Sequence, residues 1–304
     1  MTGTDIRRPP PKMLVDHHNF VRLKDEPPGE SVTWMAYGDA KSGKTFFMAS
    51  ARKRQLFINN GGGMETLRSP LCLSKYPEVN EALTVTIEDR YDDKGEPLLN
   101  ARFDMMSDAI DYGLQHFGEE FDTICVDDST AARRDAMRKG LLIAGDTEKS
   151  KQMGKLYEKY DVLLPAVQDY NVEMSLILQF LMGTIEIAKK NKKHLIVGAH
   201  ERHTFQKPAK IGDQPTLLRV RPGFTGQTMP DDIGGLWDVL THTERVGGGS
   251  NTVYRHRFNG DEITQAGIRY GGIFETVESN VDFLKAVERI RAAQKNPKAP
   301  GFNR

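Results

Sequence analysis

The stretch Gly38-Asp39-Ala40-Lys41-Ser42-Gly43-Lys44-Thr45 is a complete GxxxxGK[ST] phosphate-binding loop. A run typical of a buried strand, residues 32–37, precedes it, and residues 46–51 can open a helix after it. This order of strand, loop and helix is the context in which the motif works, whereas a chance match in a Gly-rich turn would not require it. The stretch therefore predicts a nucleoside triphosphate site on an α/β sheet.

The loop predicts a role for each of its last residues. Backbone N–H groups of such a loop surround the phosphates at a helix N-terminus. We expect Lys44 to bridge the β- and γ-phosphates, which makes it a candidate catalytic residue, and the Thr45 hydroxyl to help hold Mg²⁺. Residues 38–46, which include Phe46, are thus the predicted ATP contact.

Composition narrows the class of protein. Lysine plus arginine and aspartate plus glutamate both number 42, so the net charge of zero gives no sign of a nucleic-acid partner. The two cysteines, Cys72 and Cys125, lie far apart, which argues against a disulfide framework or a thiolate zinc site. Residues 1–11 lack the apolar core of a signal peptide, and no run of about 18 apolar residues is evident. We expect a cytoplasmic protein that does not contact a membrane.

Strand and helix patterns alternate along the chain, as a parallel sheet with helical crossovers requires. Three segments are predicted: an N-terminal arm at 1–30, a core at 31–278, and a C-terminal helix with a basic tail at 279–304. Besides the strand before the loop, the predicted strands are 55–59, 83–88, 123–126, 194–199, and a hairpin of 237–243 and 252–258. The predicted helices are 103–117, 147–193 with an interruption at Pro165, and 281–293. The expected fold class is α/β, with a mostly parallel central sheet flanked by helices, a C-terminal β-hairpin and terminal extensions.

Two acids, Asp127 and Asp128, end the apolar strand that begins at Thr123. A phosphate loop needs a carboxylate from a neighbouring strand to hold Mg²⁺, and we expect Asp127 to supply it together with Thr45. Solvated acids that merely end a strand are the alternative. Asp128 has two open roles, because it can orient the attacking water or cap the turn that follows.

His200 directly follows the strand 194–199, so it should project from the carboxyl edge of the sheet, where nucleotides bind. An imidazole there can donate a hydrogen bond to the γ-phosphate and signal its loss to the loop that follows. The alternative is a structural histidine that bonds the loop backbone. The spacing His200-Glu201-Arg202-His203 does not match HExxH, which argues against a zinc protease.

An irregular and basic stretch is expected from His200 to about Pro230. The candidates in it for contact with single-stranded DNA are Arg202, Lys207, Lys210, Arg219 and Arg221. Phe205 and Phe224 lie among them, so cations can follow a phosphate backbone while the rings stack on bases. A solvated basic loop is the alternative that the sequence leaves open.

Together these motifs resemble those of the RecA-core ATPases, and specifically of small phage nucleotide-binding proteins with an AAA/RecA-type domain that assist single-strand annealing and recombination. The resemblance spans residues 30–275 and rests on the loop, the Asp127-Asp128 strand end, the strand ending in His200-Glu201, and the strand pair with Arg269. It implies ATP and Mg²⁺ binding, a homo-oligomeric ring or filament, and contact with single-stranded DNA after His200. A single-strand binding protein is a candidate partner, and a phage origin would imply the host cytoplasm.

Two positions depart from the pattern of this family. Its second strand usually ends in a catalytic glutamate, whereas residues 56–58 run into Asn59-Asn60-Gly61-Gly62-Gly63 and Glu65 lies downstream. Glu65 and Asp128 are therefore the candidates for positioning water. The family also often has a Lys-x-Arg pair that reaches the neighbouring subunit's phosphate. Only Arg269 is present here, either as a trans-acting finger or in an ordinary surface ion pair.

The leading hypothesis is a DNA-associated, Mg²⁺-dependent ATPase. The second is a nucleotide-gated structural or interaction module with little or no hydrolysis, which the missing second-strand glutamate favours. A GTPase is disfavoured, because Asn191-Lys192-Lys193-His194 lacks the aspartate of NKxD and precedes its strand. A small-molecule kinase stays open, although no lid with an arginine cluster can be identified.

Overall fold

The computed structural model describes residues 29–89, 91, 93, 101–145, 167–206, 214–224 and 229–295. Within these ranges the strands are β1 (Thr33–Gly38), β2 (Gln55–Asn59), β3 (Leu83–Thr86), β4 (Thr123–Asp127), β5 (His194–Gln206), β6 (Thr216–Pro222), β7 (Val239–Val246), β8 (Val253–Arg257), β9 (Gly267–Ile268) and β10 (Val277–Ser279). The α-helices are α1 (Lys44–Ala49), α2 (Met64–Leu67), α3 (Pro70–Lys75), α4 (Ala101–Phe117), α5 (Ser129–Gly145), α6 (Val167–Lys190), α7 (Met229–Gly234) and α8 (Phe283–Lys295). Short 3₁₀ turns lie at Pro77–Glu81 and Gly249–Asn251.

The strands form one sheet in the order β10-β8-β7-β1-β5-β4-β2-β3. All neighbours from β7 to β3 run parallel, whereas β8 and β10 complete that end of the sheet in antiparallel pairs. Two further strands pair off this path, β6 with β5 and β9 with β7, both antiparallel. The predicted fold class, a mostly parallel α/β sheet flanked by helices with a C-terminal β-hairpin, is confirmed.

Both faces of strand β1 are buried, and this explains why its sequence is largely apolar. Met35 and Tyr37 face one core, which is filled by side chains of α4, α5 and α6. Trp34 and Ala36 face the other core, which is filled by α1 and by Phe283 and other residues of α8. A parallel strand covered on both sides loses the polar alternation of a half-exposed strand.

Among the described residues, helix α6 contains one segment, Tyr170–Lys190, that is long and apolar enough to cross a membrane by length and composition alone, with a mean hydropathy of 1.2. Its side chains Ile177, Leu181 and Ala188 are nevertheless buried in the same core as β1. The apolar stripe of α6 is thus used for packing against the sheet and its neighbouring helices.

Among the elements that the sequence did not predict, two bear on the site. Helix α5 was not predicted, although it begins directly after Asp128, whose Oδ1 accepts a hydrogen bond from the Ala131 N–H at 2.5 Å. The stretch predicted as irregular after His200 is in part a β-ribbon, defined here as residues 201–206 of β5 and 216–222 of β6. Its polar residues on both faces give no apolar alternation, and this is why the pattern did not indicate strands.

Several predicted features lie outside the described residues. They are the N-terminal arm up to residue 28, the first part of the long helical region with Pro165, Lys207 and Lys210, and the end of the basic tail from residue 296.

Candidate nucleotide site

The predicted site residues from four separate stretches of the chain meet in one cavity at the carboxyl edge of the parallel strands. The cavity has a volume of about 570 Å³. Its lining consists of Ala40 to Phe46 of the phosphate loop, Gly61 to Gly63, Glu65, Thr66, Ser69, Asp127, Asp128, His200, Arg245 and Tyr254. Parallel strands end together at one edge of a sheet, so β1, β2, β4 and β5 bring these side chains together.

Lys44 lies inside the loop. Its Nζ donates hydrogen bonds to the carbonyl oxygens of Gly38 at 2.9 Å and Asp39 at 2.7 Å. Burial lowers the pKa of Lys44, while the nearby carboxylates of Asp127 and Asp128 oppose that effect. The amine is therefore held within the loop by two backbone carbonyls, and its contact with a phosphate stays a prediction.

Thr45 and Asp127 are in direct contact. The Thr45 hydroxyl donates to Asp127 Oδ2 at 2.7 Å, and this contact joins the end of the loop to the end of β4. Burial raises the pKa of Asp127 to about 6, against the opposing effect of the Thr45 hydrogen bond. A hydroxyl and a carboxylate are oxygen ligands of the kind that Mg²⁺ prefers. These two residues fit the predicted ion.

Gly63 leaves room for the Asp127 carboxylate beside its contact with Thr45. A Cβ built on Gly63 would lie 1.9 Å from Asp127 Oδ2, so no other residue fits there without displacing the carboxylate. The turn that holds Gly63 is set by Asn59, whose side-chain oxygen accepts from the N–H groups of Gly62 and Gly63 at 3.0 and 2.9 Å. The residue at the end of β2 thus shapes the turn beside the predicted Mg²⁺ ligands.

Asp128 caps the start of α5, whereas its role in orienting the attacking water stays a prediction. One oxygen accepts from the Ala131 N–H at the start of α5, and the other lies 3.1 Å from His200 Nε2 inside the cavity. Burial would raise the pKa of Asp128, but the hydrogen bonds from His200 and Ala131 outweigh it and hold the pKa below its usual range. Asp128 is therefore an ionised carboxylate at the site as well as a cap.

His200 and Glu65 both line the cavity. His200 is partly exposed at its side chain, and its backbone N–H donates to Thr130 Oγ1 at 2.9 Å. Glu65 is an exposed residue of the short helix α2. Both predicted residues thus line the cavity, and their roles stay predictions.

The predicted DNA-binding arginines lie on the ribbon. Arg202 is paired in register with Arg221, and Thr204 with Arg219, so the three arginines share one face. Arg202 donates to the Phe224 carbonyl at 3.0 Å, and Arg221, which is only 8% exposed, donates to Thr204 at 3.3 Å. Arg219 is exposed. Their contact with DNA stays a prediction.

Arg269 is not among the described residues that line this cavity. It follows β9, and its guanidinium contacts Asp238 Oδ1 at 3.2 Å and the Gly235 carbonyl at 2.6 Å. Asp238 also accepts from the N–H of Thr33, the first residue of β1, at 2.9 Å. Arg269 is thus anchored at the amino edge of the sheet, opposite the phosphate loop, and a role in trans stays a prediction.

The cavity residues that the sequence analysis did not predict include Arg245 and Tyr254. Arg245 on β7 and Tyr254 on β8 are cross-strand partners, and both line the cavity. The Tyr254 ring lies against Gly43, which has φ of 100° and whose Cβ, if present, would be 2.4 Å from the ring. The spacing Thr241, Thr243, Arg245 was a signal, because alternate strand residues share a face. Thr243 Oγ1 lies 2.8 Å from Ser42 Oγ of the loop.

Comparisons with known proteins give only distant likenesses. A scan against protein-family models finds no match, and a search of curated proteins finds none. Among solved structures, the chain is similar to the RadB recombinase, with 14% identity, a TM-score of 0.36, and coverage of 76% of this chain and 84% of that chain. It is also similar to a KaiC-like protein from the hyperthermophilic archaeon Pyrococcus horikoshii, with 10% identity, a TM-score of 0.35, and coverage of 74% and 77%. Likenesses of this size carry no argument about activity.

Proposed function

We propose that this chain is a RecA-like P-loop protein that binds ATP with Mg²⁺ and acts on single-stranded DNA in phage recombination or replication. The observation that carries the nucleotide part is the 2.7 Å contact between Thr45 and Asp127 beside the buried amine of Lys44. A lysine, a hydroxyl and a strand-end carboxylate in one cavity suit a triphosphate and its metal ion. Mg²⁺, when bound, neutralises charge on the phosphates.

Two residues that line the cavity, Asp128 and His200, support the hydrolysis part of the proposal. Asp128 is an ionised carboxylate, and such a group offers about four acceptor positions, of which His200 and Ala131 occupy two. The remaining positions can accept a hydrogen bond from the attacking water, and Glu65 is a second candidate for this role. His200 faces the same space and would sense the γ-phosphate through its bond to Asp128.

The DNA part of the proposal is supported by the ribbon. Cations on one face would follow a phosphate backbone, and the half-exposed ring of Phe205 would stack on a base. Oligomerisation into a ring or filament would let the contacts of many subunits act together along one DNA strand. A single-strand binding protein is a further proposed partner. The proposed location is the cytoplasm, which is that of the host for a phage protein.

The position of Asn59 in the fold favours a second function. Asn59 stands at the end of β2, where a catalytic glutamate would be expected, and its side chain is engaged in the turn at Gly62 and Gly63. With this position used for structure, a nucleotide-gated interaction module that binds ATP and scarcely hydrolyses it is the alternative.

The test is ATP turnover by the wild type and by Lys44→Ala, with and without single-stranded DNA, at two salt concentrations. We expect a rate that depends on Lys44, rises with DNA, and loses its DNA response at high salt as phosphate contacts are screened. Tight ATP binding without turnover in every condition would favour the nucleotide-gated module. A rate unchanged in Lys44→Ala would contradict both functions.

A further inference from the structure

The strand that leads into the phosphate loop ends before its two neighbours do. β1 pairs with β5 as far as Gly38 opposite His200, and with β7 as far as Tyr37 opposite His242. Beyond the end of β1, β5 and β7 lie on either side of an empty strand position. The two strands are about 10 Å apart there, which is two strand spacings. Glu201 of β5 and His242 of β7 close that gap, with 2.7 Å between Glu201 Oε2 and His242 Nε2.

Tyr37, the side chain before the last residue of β1, lies beside this pair. Its ring centroid is 5.1 Å from that of His242. Its hydroxyl donates to the carbonyl of Val220, a β6 residue, at 3.2 Å, and also to the carbonyl of Gln265. The ribbon is therefore joined to the entrance of the phosphate loop twice, through Glu201 of β5 and through the backbone of β6.

The Glu201–His242 pair is sheltered from water. The two side chains are only 15% and 16% exposed, so solvent screens their interaction less than that of a surface pair. The hydrogen bond from His242 holds the pKa of Glu201 below its usual range, although burial opposes this. The Glu201 charge also acts on Lys44, where it opposes the effect of burial on the pKa of the amine.

Glu201 has no contact with the cavity itself, since the described residues that line it include His200 but not Glu201. Neighbouring residues of a strand point to opposite faces of the sheet. His200 therefore points to the face of the sheet where Asp128 and the cavity lie. Glu201 points to the opposite face, where it contacts His242 of β7. A displacement of β5 at His200 must move Glu201 as well.

We propose that the Glu201–His242 pair is a positioning contact that couples the ribbon to the phosphate loop, so that a nucleotide in the cavity orders the ribbon. This inference rests on the proposed nucleotide site. It makes Glu201 a positioning residue and gives the ribbon two states, one for the empty loop and one for the filled loop. By linkage, a ligand that orders the ribbon strengthens nucleotide binding to the same degree.

The test is amide hydrogen exchange of the full chain with and without ATP and Mg²⁺, followed separately in the loop at 39–45 and in the ribbon. In the wild type we expect ATP to slow exchange in both places, by at least about fivefold in the ribbon. In Glu201→Gln, and independently in His242→Gln, we expect the loop to keep its protection and the ribbon to lose most of its response to ATP.

The matched control is His203→Gln. His203 contacts the other oxygen of Glu201 at 2.6 Å but belongs to the ribbon itself, so its removal leaves the link to β7 in place and should preserve the response to ATP. The inference is overturned by a wild-type ribbon that does not respond to ATP, or by a full response in both Glu201→Gln and His242→Gln. An unprotected loop in the wild type would instead overturn the proposed nucleotide site, and this inference with it.

Discussion

At the scale of single residues, the site depends on how Thr45, Asp127 and Gly63 share a small space. The Thr45 hydroxyl is committed to Asp127, and the missing side chain of Gly63 leaves room for the carboxylate. Asn59 holds the Gly63 turn in place through two backbone N–H groups. Each of these residues therefore acts on the position of one carboxylate, and substitutions should show this.

Thr45→Val keeps the size of the side chain and removes its hydroxyl. We expect ATP affinity in the presence of Mg²⁺ to fall by about tenfold or more, because the proposed Mg²⁺ ligand is lost, with little change when Mg²⁺ is removed by a chelator. Titration calorimetry under both conditions measures the difference. Thr45→Ser, which keeps the hydroxyl, should bind like the wild type, and an equal loss with and without Mg²⁺ would count against the assignment.

Gly63→Ala tests the same site from its other side. The new Cβ must displace the Asp127 carboxylate, so we expect weaker Mg²⁺-dependent ATP binding, again by about tenfold. The control is Gly183→Ala in α6, where no atom lies within 4 Å of the added Cβ. That variant should keep ATP affinity and gain helix stability of about 1 kcal/mol. Unchanged ATP binding by Gly63→Ala would show that the carboxylate position does not matter.

At the scale of elements, the sequence predicted best what is local. The strand–loop–helix around Lys44, the strand ending at Asp127 and the hairpin at Gly247 each have their own pattern, and all three are present. Helix α5 was missed because its start, Ser129, follows a strand end that reads as a turn. The contacts of Arg245 and Glu201 could not be predicted, because they depend on the register between strands distant in sequence.

Two arginines of the ribbon, Arg219 and Arg221, are predicted to have different roles. Arg219 is exposed, so Arg219→Ala should weaken single-stranded DNA binding uniformly across sequences and reduce the slope of log affinity against log salt by about 1. Arg221 is buried against Thr204, so Arg221→Ala should chiefly lower the stability of the ribbon. Fluorescence anisotropy at several salt concentrations, with thermal unfolding beside it, distinguishes the two effects. A salt slope that Arg219→Ala leaves unchanged would remove the ribbon from the DNA site.

At the scale of the whole molecule, the two cores on either side of the sheet hold the site in place. The core beneath α1 is aromatic, with Trp34 at ring-centroid distances of 4.9 Å from Phe47 and 6.1 Å from Phe283. His256 is also buried there, 4.7 Å from the Phe47 ring. A titratable group within this core links the stability of the entire fold to pH.

Burial lowers the pKa of His256 to about 3, and burial likewise lowers that of His194 to about 4. In the unfolded chain both groups take up a proton near pH 6.5, so their contribution to stability is complete above that pH and is lost as the pH falls below it. We expect the free energy of unfolding to fall by an amount of the order of 1–3 kcal/mol between pH 7 and pH 5. Denaturant unfolding at several pH values should show a shallower slope for His256→Phe, and an identical slope would contradict this account.

The cavity at the carboxyl edge of the sheet is proposed to bind ATP through Lys44. The most direct measurement is titration calorimetry of ATP with Mg²⁺ into the wild type and into Lys44→Ala, with thermal unfolding to confirm that both are folded. We predict one site per chain in the wild type and an affinity at least about tenfold lower in Lys44→Ala, because the charge that faces the phosphates is gone. Equal affinity in the two proteins, or no binding by the wild type, would contradict this proposal.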